Sequence, residues 1–202
     1  MIIKRSRLSR ASVGIACVAG FLVVFATACS TGKDAVLQGG GSEFVSPGGR
    51  TRMLYEPAQR RAIKEISGES VTDPNVGISL REYSGEVIVL NLWASWCPPC
   101  RTETYELKKI ADATKGEAVQ VVGVDVNDDR TAAADFMNNF QVNYPSIHDP
   151  EKRVGLAISG IPLPAVPTTL IIDKQQRVAA VFMGGILESD VLPTVHKVLA
   201  EN

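Results

Sequence analysis

Four apolar segments of the chain predict the strands of a buried sheet. The runs 87–93 and 119–126 are almost wholly apolar, which is typical of strands covered on both faces. The apolar runs 168–172 and 178–182 flank a polar turn, which predicts an antiparallel hairpin. We therefore expect two central strands in one sheet, with the hairpin at an antiparallel edge.

Between and after these strands, apolar residues recur at helical spacing. The three repeating sets are Leu107, Ile110 and Ala111; then Ala133, Phe136, Met137 and Phe140; and finally Val191, Leu192, Val195, Val198 and Leu199. Asp128 and Asp129 precede the second set and are placed to cap that helix. The order strand, helix, strand, helix, short strand, hairpin, helix predicts an α/β fold with a mixed central sheet and helices on both faces.

The first 28 residues have the pattern of a secretory signal. Four basic residues lie within positions 1–10, and residues 11–28 are uncharged and apolar. The following Ala26-Thr27-Ala28-Cys29 resembles a bacterial lipobox, although Ala26 stands where leucine or valine is usual. We therefore expect a lipoprotein signal over 1–28 and acyl chains on Cys29, which would hold the protein at the membrane. A plain membrane-spanning anchor is the alternative, since 18 residues reach the lower limit for a span.

Residues 29–52 are rich in glycine, serine and proline and predict a flexible tether. Residues 53–202 then suit one folded domain. The chain has 21 basic and 22 acidic residues, and four of the basic ones lie in the predicted signal. The remainder therefore carries 17 basic against 22 acidic residues, and no basic patch stands out, which argues against a nucleic-acid partner.

The motif Cys97-Pro98-Pro99-Cys100 carries the candidate chemistry. It follows the first strong strand and opens the first helix, which is the sequence mark of a thioredoxin-like redox site. At a helix N-terminus, amide groups and the helix dipole favour the Cys97 thiolate. Cys100 lies one turn deeper on the same face and is placed to attack a mixed disulfide formed at Cys97. This exchange requires a foreign disulfide to reach the first sulfur.

Other roles for the cysteine pair fit the sequence less well. A structural bridge would close too small a loop to stabilise much. Zinc needs about four ligands, and the distant His148 and His196, which we expect at the surface or at strand ends, do not supply them. Haem attachment would require histidine where Arg101 stands. We expect no cofactor and no metal beyond the redox-active pair itself.

The segment 85–103 closely resembles the TlpA/ResA/CcmG family of membrane-tethered thiol-disulfide oxidoreductases. The match runs on through 122–126, Tyr144-Pro145, Asp149 and 166–169, and it covers about residues 65–200. The motifs fall in the family's order and spacing. The resemblance implies a thioredoxin-like fold and exchange chemistry at the two cysteines.

The resemblance also implies roles for four further residues. Pro167 matches the family's cis-proline beside the cysteines, and Val166 would present its backbone to an extended substrate. Glu103 matches a buried acid that handles the proton of Cys100, with a pKa raised by burial. Ordinary thioredoxins instead carry an aspartate where Asn91 stands. Trp96 is expected to form a wall of the substrate groove.

The function implied is reduction of extracytoplasmic disulfides, on the outer face of a bacterial cell membrane. The resemblance suggests apocytochrome c as substrate and a membrane thiol carrier of the CcdA/DsbD type as electron donor. An oxidase or isomerase of secreted proteins is the alternative within the same class. A Cu(I) chaperone using Cys97 and Cys100 is the alternative from another class, since soft thiolates suit that metal.

Overall fold

The computed structural model describes residues 52–158 and 166–201 of the chain. The predicted signal 1–28, the predicted lipid attachment at Cys29 and all of the predicted tether 29–52 except residue 52 lie outside the described residues. So do residues 159–165, most of the proline-rich approach to Pro167. The domain was expected to start at residue 53, and the first described strand begins one residue earlier, at Arg52.

In the part of the chain that the structure describes, six strands form the central sheet and two form a small hairpin. The central strands are β1 (Arg52–Leu54), β4 (Val87–Trp93), β5 (Val119–Val126), β6 (Ser146–Asp149), β7 (Thr168–Ile172) and β8 (Val178–Met183). The hairpin pairs β2 (Ser67–Glu69) with β3 (Gly77–Ser79). The sheet order is β1-β8-β7-β4-β5-β6, in which β4, β5 and β6 are parallel and the other pairings are antiparallel. The sheet is therefore mixed, as the sequence predicts.

Four α-helices accompany the sheet within the described residues. They are α1 (Pro98–Ala113), α2 (Arg130–Asn139), α3 (Val154–Ala157) and α4 (Glu188–Leu199). Two 3₁₀ turns, Pro57–Gln59 and Leu80–Tyr83, lie in the segment before β4. Within residues 52–158 and 166–201, no helix combines the length and apolar character that crossing a bilayer would need.

The predicted hairpin forms with the expected strands, but its predicted place at the sheet edge is wrong. β7 pairs with β4 inside the sheet, and β8 is covered on its other side by β1. Since both hairpin strands have neighbours on each side, nearly all of their residues are buried. β1 forms this edge of the sheet instead. It has three residues, which are too few to show an alternating pattern in the sequence.

The alternation of side chains along β4 divides the core between the two faces of the sheet. Val87 and Val89 belong to a cluster with Leu107 of α1 and Val195 of α4. The intervening residues pack into a cluster on the opposite face, which includes Val154 and Ala157 of α3 and Leu80. Helices therefore cover both faces. Asn91 continues the Val87–Val89 row, which places its amide on the side of α1.

Candidate active site

The two cysteines lie at the junction of β4 and α1. Cys97 is the N-cap of α1, and Pro98 and Pro99 occupy the first two helical positions. Proline is tolerated there because those amides have no partner within a helix. Cys100 N donates to Cys97 Sγ over 3.3 Å. The local sequence thus builds the expected helix start, with one backbone donor aimed at the first sulfur.

Cys97 and Cys100 form a disulfide in this structure. Each residue is only 2% exposed, so the opening expected at the first sulfur is closed in the oxidised state. The pair packs in an apolar cluster with Val71, Trp93 and Phe136. These side chains come from three separate parts of the chain. The motif alone therefore did not indicate that the cysteine pair is buried.

Glu103 lies one turn beyond Cys100 and is 1% exposed. Its Oε1 accepts hydrogen bonds from Asn91 Nδ2 at 2.9 Å and from Thr169 Oγ1 at 2.8 Å. Its Oε2 is buried and has no hydrogen-bond partner among the described residues. Burial raises the pKa of Glu103 to about 8, against a smaller lowering by the Thr169 hydroxyl. The carboxyl therefore titrates near neutral pH, where a proton carrier is most effective.

Tyr144 is a buried phenol on which the charge of Glu103 acts. Thr104 Oγ1 donates to the carbonyl oxygen of Cys100 over 2.8 Å and is also hydrogen-bonded to Tyr144. Burial, together with the charge of Glu103, raises the pKa of Tyr144 above its ordinary value. Tyr144 therefore remains a neutral hydrogen-bonding group throughout the range in which Glu103 titrates.

The second element beside the cysteines is the start of β7. The Val166–Pro167 peptide bond is cis, as the resemblance implies. Val166 is partly buried and packs against the same cluster as the two cysteines. The Pro167 carbonyl accepts from Gly184 N over 2.9 Å, which ties this segment to the end of β8. The cis-proline and the cysteine pair therefore lie in one site.

The two tryptophans near the cysteines differ in exposure. Trp93 is 4% exposed; its ring packs 4.8 Å from that of Phe136, and its Nε1 donates to Ser146 Oγ over 2.9 Å. Trp96 is 53% exposed, with its Nε1 donating to the carbonyl oxygen of Asn127 over 2.9 Å. Trp96 therefore presents an indole face to solvent directly beside Cys97.

Only one of the two aspartates expected to cap α2 does so. Asp129 is the N-cap and accepts from the amides of Thr131 and Ala132. Asp128 turns instead toward the cysteine motif and accepts from both the amide and the hydroxyl of Ser95. A carboxylate before a helix is a capping signal in sequence, and only the tertiary fold brings this one to Ser95.

The structure also shows contacts between side chains that the sequence did not indicate. Asn91 and Thr169 are register partners on β4 and β7, and their side chains hydrogen-bond at 3.0 Å where they meet Glu103. His148, expected at the surface or a strand end, lies within β6 with its Nδ1 2.7 Å from Asp125 Oδ2. No spacing rule finds these partners, because each pair comes from different strands. His196 is exposed on α4.

Comparisons with known proteins agree with this geometry. Residues 58–199 match the Redoxin family. The thiol-disulfide oxidoreductase ResA of Halalkalibacterium halodurans is 27% identical over 67% of this chain and 72% of its own length. ResA of Bacillus subtilis is 32% identical over 55% of this chain and 61% of its own length, so the match spans less than two thirds of that relative.

Solved structures of similar proteins have the same fold. A secreted thiol-disulfide isomerase from Corynebacterium glutamicum is 34% identical, with a TM-score of 0.76, over 81% of this chain and 100% of its own. A DsbF homologue from Corynebacterium diphtheriae is 36% identical, with a TM-score of 0.71, over 78% of this chain and 99% of its own. The chain therefore belongs to the Redoxin family, and it is a thiol-disulfide oxidoreductase with a thioredoxin-like fold.

Proposed function

We propose that this protein reduces disulfides outside the cytoplasm, with Cys97 as nucleophile, Cys100 as resolving thiol and Glu103 as proton carrier. The observation that carries the proposal is the buried Glu103 carboxyl one helical turn from Cys100, with its pKa raised to about 8 by burial. A merely structural disulfide would not need a titrating group at this depth. Buried carboxyls with shifted pKa values concentrate at functional sites.

The reaction begins from the reduced pair. The Cys97 thiolate attacks one sulfur of the substrate disulfide, and the other substrate sulfur leaves as a thiolate that takes a proton from solvent. Cys100 then attacks Cys97 Sγ in the mixed disulfide and releases the second substrate sulfur. Two electrons pass to the substrate, which becomes a dithiol, and the protein ends with the Cys97–Cys100 disulfide present in the structure.

Glu103 acts in the second step. Cys100 is a thiol within an apolar cluster and must lose its proton before it attacks. With a pKa of about 8, roughly a tenth of the Glu103 carboxyl is ionised at pH 7 and ready to accept that proton. When the pair is reduced again, the same group returns the proton to Cys100.

The helix start supports the reducing direction. Pro98 and Pro99 have no amide hydrogen, and among the described residues only Cys100 N donates to Cys97 Sγ. Fewer donors stabilise the Cys97 thiolate less, so the disulfide is favoured relative to the dithiol. Such a pair gives up its electrons readily and reduces its targets.

The redox potential tests this direction. We expect equilibration of the protein in glutathione buffers to give a value near that of thioredoxin, about −270 mV. A value near that of DsbA, about −120 mV, would contradict the reductase role. Pro98→Ala is the informative variant, because it restores one amide near Cys97, and we expect it to raise the potential.

For the substrate we propose apocytochrome c, in cytochrome c maturation, with electrons supplied by a membrane thiol carrier of the CcdA/DsbD type. The match to ResA proteins supports this class of substrate. Cys100→Ala prevents resolution and should retain the substrate on Cys97, where mass spectrometry identifies it. Cys97→Ala is the matched control and should retain nothing. Capture of secreted proteins without any cytochrome would contradict the proposal that apocytochrome c is the substrate.

We further propose that Cys29 carries the lipid that holds the domain at the extracytoplasmic face of the cell membrane, with 29–51 as its tether. Two or three acyl chains give stable anchoring, whereas one does not. Growth with a labelled fatty acid should label the wild type but not Cys29→Ser. An unlabelled wild type found in the membrane fraction would indicate a spanning anchor instead.

Isomerisation of secreted proteins is the second candidate. The observation that favours it is the 34% identity to a secreted thiol-disulfide isomerase over the full length of that chain. An isomerase restores activity to a scrambled disulfide protein without net reduction. Refolding of scrambled ribonuclease, with thiols counted before and after, separates the two functions.

A further inference from the structure

The two oxygens of the Glu103 carboxyl have unlike surroundings. Oε1 accepts hydrogen bonds from Asn91 Nδ2 at 2.9 Å and from Thr169 Oγ1 at 2.8 Å. Oε2 is buried and has no hydrogen-bond partner among the described residues. Most buried polar atoms in folded proteins have a partner, so this oxygen requires an explanation. A proton exchanged with Cys100 must be held by one of the two oxygens, and their surroundings make them unequal.

The hydrogens of the two donors can be assigned one by one. The amide nitrogen of Asn91 has two hydrogens, of which one goes to Glu103 Oε1 and the other to Thr169 Oγ1, 3.0 Å away. The Thr169 hydroxyl has a single hydrogen, which the Asn91 nitrogen cannot accept. That hydrogen therefore goes to Glu103 Oε1, and the described part of the chain gives this hydroxyl no third side-chain partner. The reverse orientation of the Asn91 amide would set its carbonyl oxygen against the ionised carboxyl, with two acceptors in contact.

This arrangement leaves Oε2 as the atom for the proton. Both lone pairs of Glu103 Oε1 receive a hydrogen, one from Asn91 and one from Thr169. A proton on Oε1 would leave one of these buried donors without its acceptor, which is costly in an apolar interior. A proton on Oε2 displaces no hydrogen bond among the described residues.

Three elements of the fold meet at these hydrogen bonds. Asn91 on β4 and Thr169 on β7 are register partners, and they are 2% and 0% exposed. Glu103 comes from α1, one turn after Cys100. Two strands of the sheet thus hold one oxygen of a side chain that a helix supplies. Rotation of the carboxyl group would break both bonds, so Oε2 stays in one place.

We infer that Asn91 and Thr169 are positioning residues that hold Oε1 of Glu103 for proton transfer. Oε2 is then the atom that exchanges a proton with Cys100. During resolution the S–H bond of Cys100 breaks and its proton joins Oε2. The sulfur keeps the electron pair and forms a bond to Cys97 Sγ, while the substrate sulfur leaves with the electrons of the broken S–S bond. The inference rests on the proposed role of Glu103 as proton carrier.

Infrared difference spectra test the atom assignment without changing either donor. In the protonated carboxyl the C=O bond belongs to the oxygen without the proton, here Oε1, and two accepted hydrogen bonds lower its stretching frequency. Spectra of the oxidised protein at pH 6 and pH 10 are subtracted, and the band that Glu103→Gln lacks belongs to this carboxyl. We expect a frequency below that of a carboxylic acid whose carbonyl accepts no hydrogen bond. A band at the frequency of such a free carbonyl would place the proton on Oε1 and overturn the inference.

Two other titratable groups belong to this environment. Tyr144, from the segment before β6, has its pKa raised by burial and by the charge of Glu103, so it stays neutral while Glu103 titrates. Cys100 precedes Glu103 on α1 and titrates only when it is reduced. In the oxidised protein Cys100 is held in the disulfide, so the infrared titration reports the carboxyl without a contribution from the thiol.

Removal of one donor tests the positioning. Thr169→Val keeps the shape of the side chain but removes the hydroxyl, which frees Oε1 to take the proton and lets the carboxyl rotate. The hydroxyl lowers the pKa of Glu103, so its loss also changes the ionised fraction of the carboxyl. Resolution rates from pH 5 to 10 are therefore divided by that fraction, with each midpoint taken from the infrared titration. We expect the corrected rate to fall about tenfold, since small displacements of a reacting group slow reactions by up to about 100-fold.

Three further variants separate positioning from a structural role. Thr169→Ser restores the donor and should recover most of the corrected rate, whereas Asn91→Leu removes both amide hydrogens and should lower it at least as far as Thr169→Val. Thr114→Val removes a buried hydroxyl at the C-terminal end of α1, which donates to the Ile110 carbonyl, and should follow the wild type. A corrected rate that is unchanged in Thr169→Val, or lowered equally in Thr114→Val, would contradict the positioning role. Equal rates in wild type and Glu103→Gln would instead contradict the proton-carrier role of Glu103.

Discussion

Asn91 Nδ2 donates to Glu103 Oε1 over 2.9 Å, so a neutral amide on β4 orients the carboxyl below the cysteines. Thr169 Oγ1 donates to the same oxygen from β7, and the other oxygen stays without a described partner. Both donors are uncharged, so their hydrogen bonds offset only part of the cost of burying a negative charge. The raised pKa of Glu103 follows from this arrangement.

We expect Glu103→Gln to slow resolution of the mixed disulfide by at least about 100-fold at pH 7, the usual scale for losing a general base. The amide keeps the shape of the side chain but cannot accept the Cys100 proton. Stopped-flow release of a chromogenic thiol from Cys97 measures the step. Asp112→Asn, on the same helix but remote from the cysteines, is the charge-matched control. Equal resolution rates in wild type and Glu103→Gln would remove this group from the mechanism.

The stability of the protein should depend on pH through Glu103. Its pKa is raised from 4.5 to about 8, so between these values the folded chain binds more protons than the unfolded chain. The free energy of unfolding therefore falls as pH rises through this window, by up to about 1.4 kcal/mol per pH unit. The contribution is fully present below pH 4.5 and is lost above pH 8.

Urea unfolding of wild type and Glu103→Gln between pH 4.5 and 9 isolates this contribution. Asp125, whose pKa is raised to about 9 by burial and by nearby carboxylates, titrates in both proteins, so its effect cancels in the difference. We expect the free energy of unfolding of Glu103→Gln to increase relative to that of the wild type as pH rises. A difference in unfolding free energy that stays constant over the whole range would show that Glu103 has the same pKa folded and unfolded.

Trp96 should matter for large substrates rather than for the chemistry. Its indole is 53% exposed beside Cys97, which suits an aromatic contact to a bound segment. We expect Trp96→Ala to lower kcat/KM for a protein disulfide about tenfold, while the rate with a small dithiol does not fall. Tyr105→Ala, equally exposed on α1, is the control. Equal losses with both kinds of substrate would argue for a role at the sulfur itself.

Gly123 on β5 leaves room for the Trp93–Ser146 hydrogen bond. An added Cβ would lie 2.6 Å from Ser146 Oγ and 2.8 Å from Trp93 Nε1. We expect Gly123→Ala to destabilise the protein by about 1–3 kcal/mol, the usual cost of overpacking. Denaturation followed by tryptophan fluorescence measures it. Gly77→Ala, where the Cβ meets nothing within 4 Å, should cost much less.

Arg60 joins the segment before β2 to the end of the chain. Its side chain is 3% exposed and pairs with Asp173, which is 2% exposed, and with Glu201. Replacing Arg60 with methionine would leave the buried Asp173 carboxylate without one of its cationic partners. We expect the free energy of unfolding to fall by about 3 kcal/mol. Arg52→Met removes an exposed pair with Asp190 and should cost at most about 1 kcal/mol. Equal losses in the two variants would contradict this account of Arg60.

The local parts of the active site could be predicted from the sequence. Cys97 at the helix start and the two prolines behind it depend only on neighbouring residues, and the structure has them as expected. The long apolar runs of β4 and β5 also fall within the predicted bounds, because complete burial leaves a continuous signal over seven or eight residues. The burial of Glu103 could be expected from the family resemblance rather than from the helix pattern, where an acid is ordinarily exposed.

The parts that depend on distant segments could not be predicted. β1 is three residues long, so it has no period to detect, yet it pairs with β8 on the side away from β7 and forms that edge of the sheet. Asp128 resembles a cap in the sequence and binds Ser95 in the fold. The side chains that hydrogen-bond to Glu103 and Asp125 lie on other strands, and the register of the sheet brings them into contact. Spacing along a chain predicts which residues share one element, whereas contacts between elements arise only when the sheet brings them together.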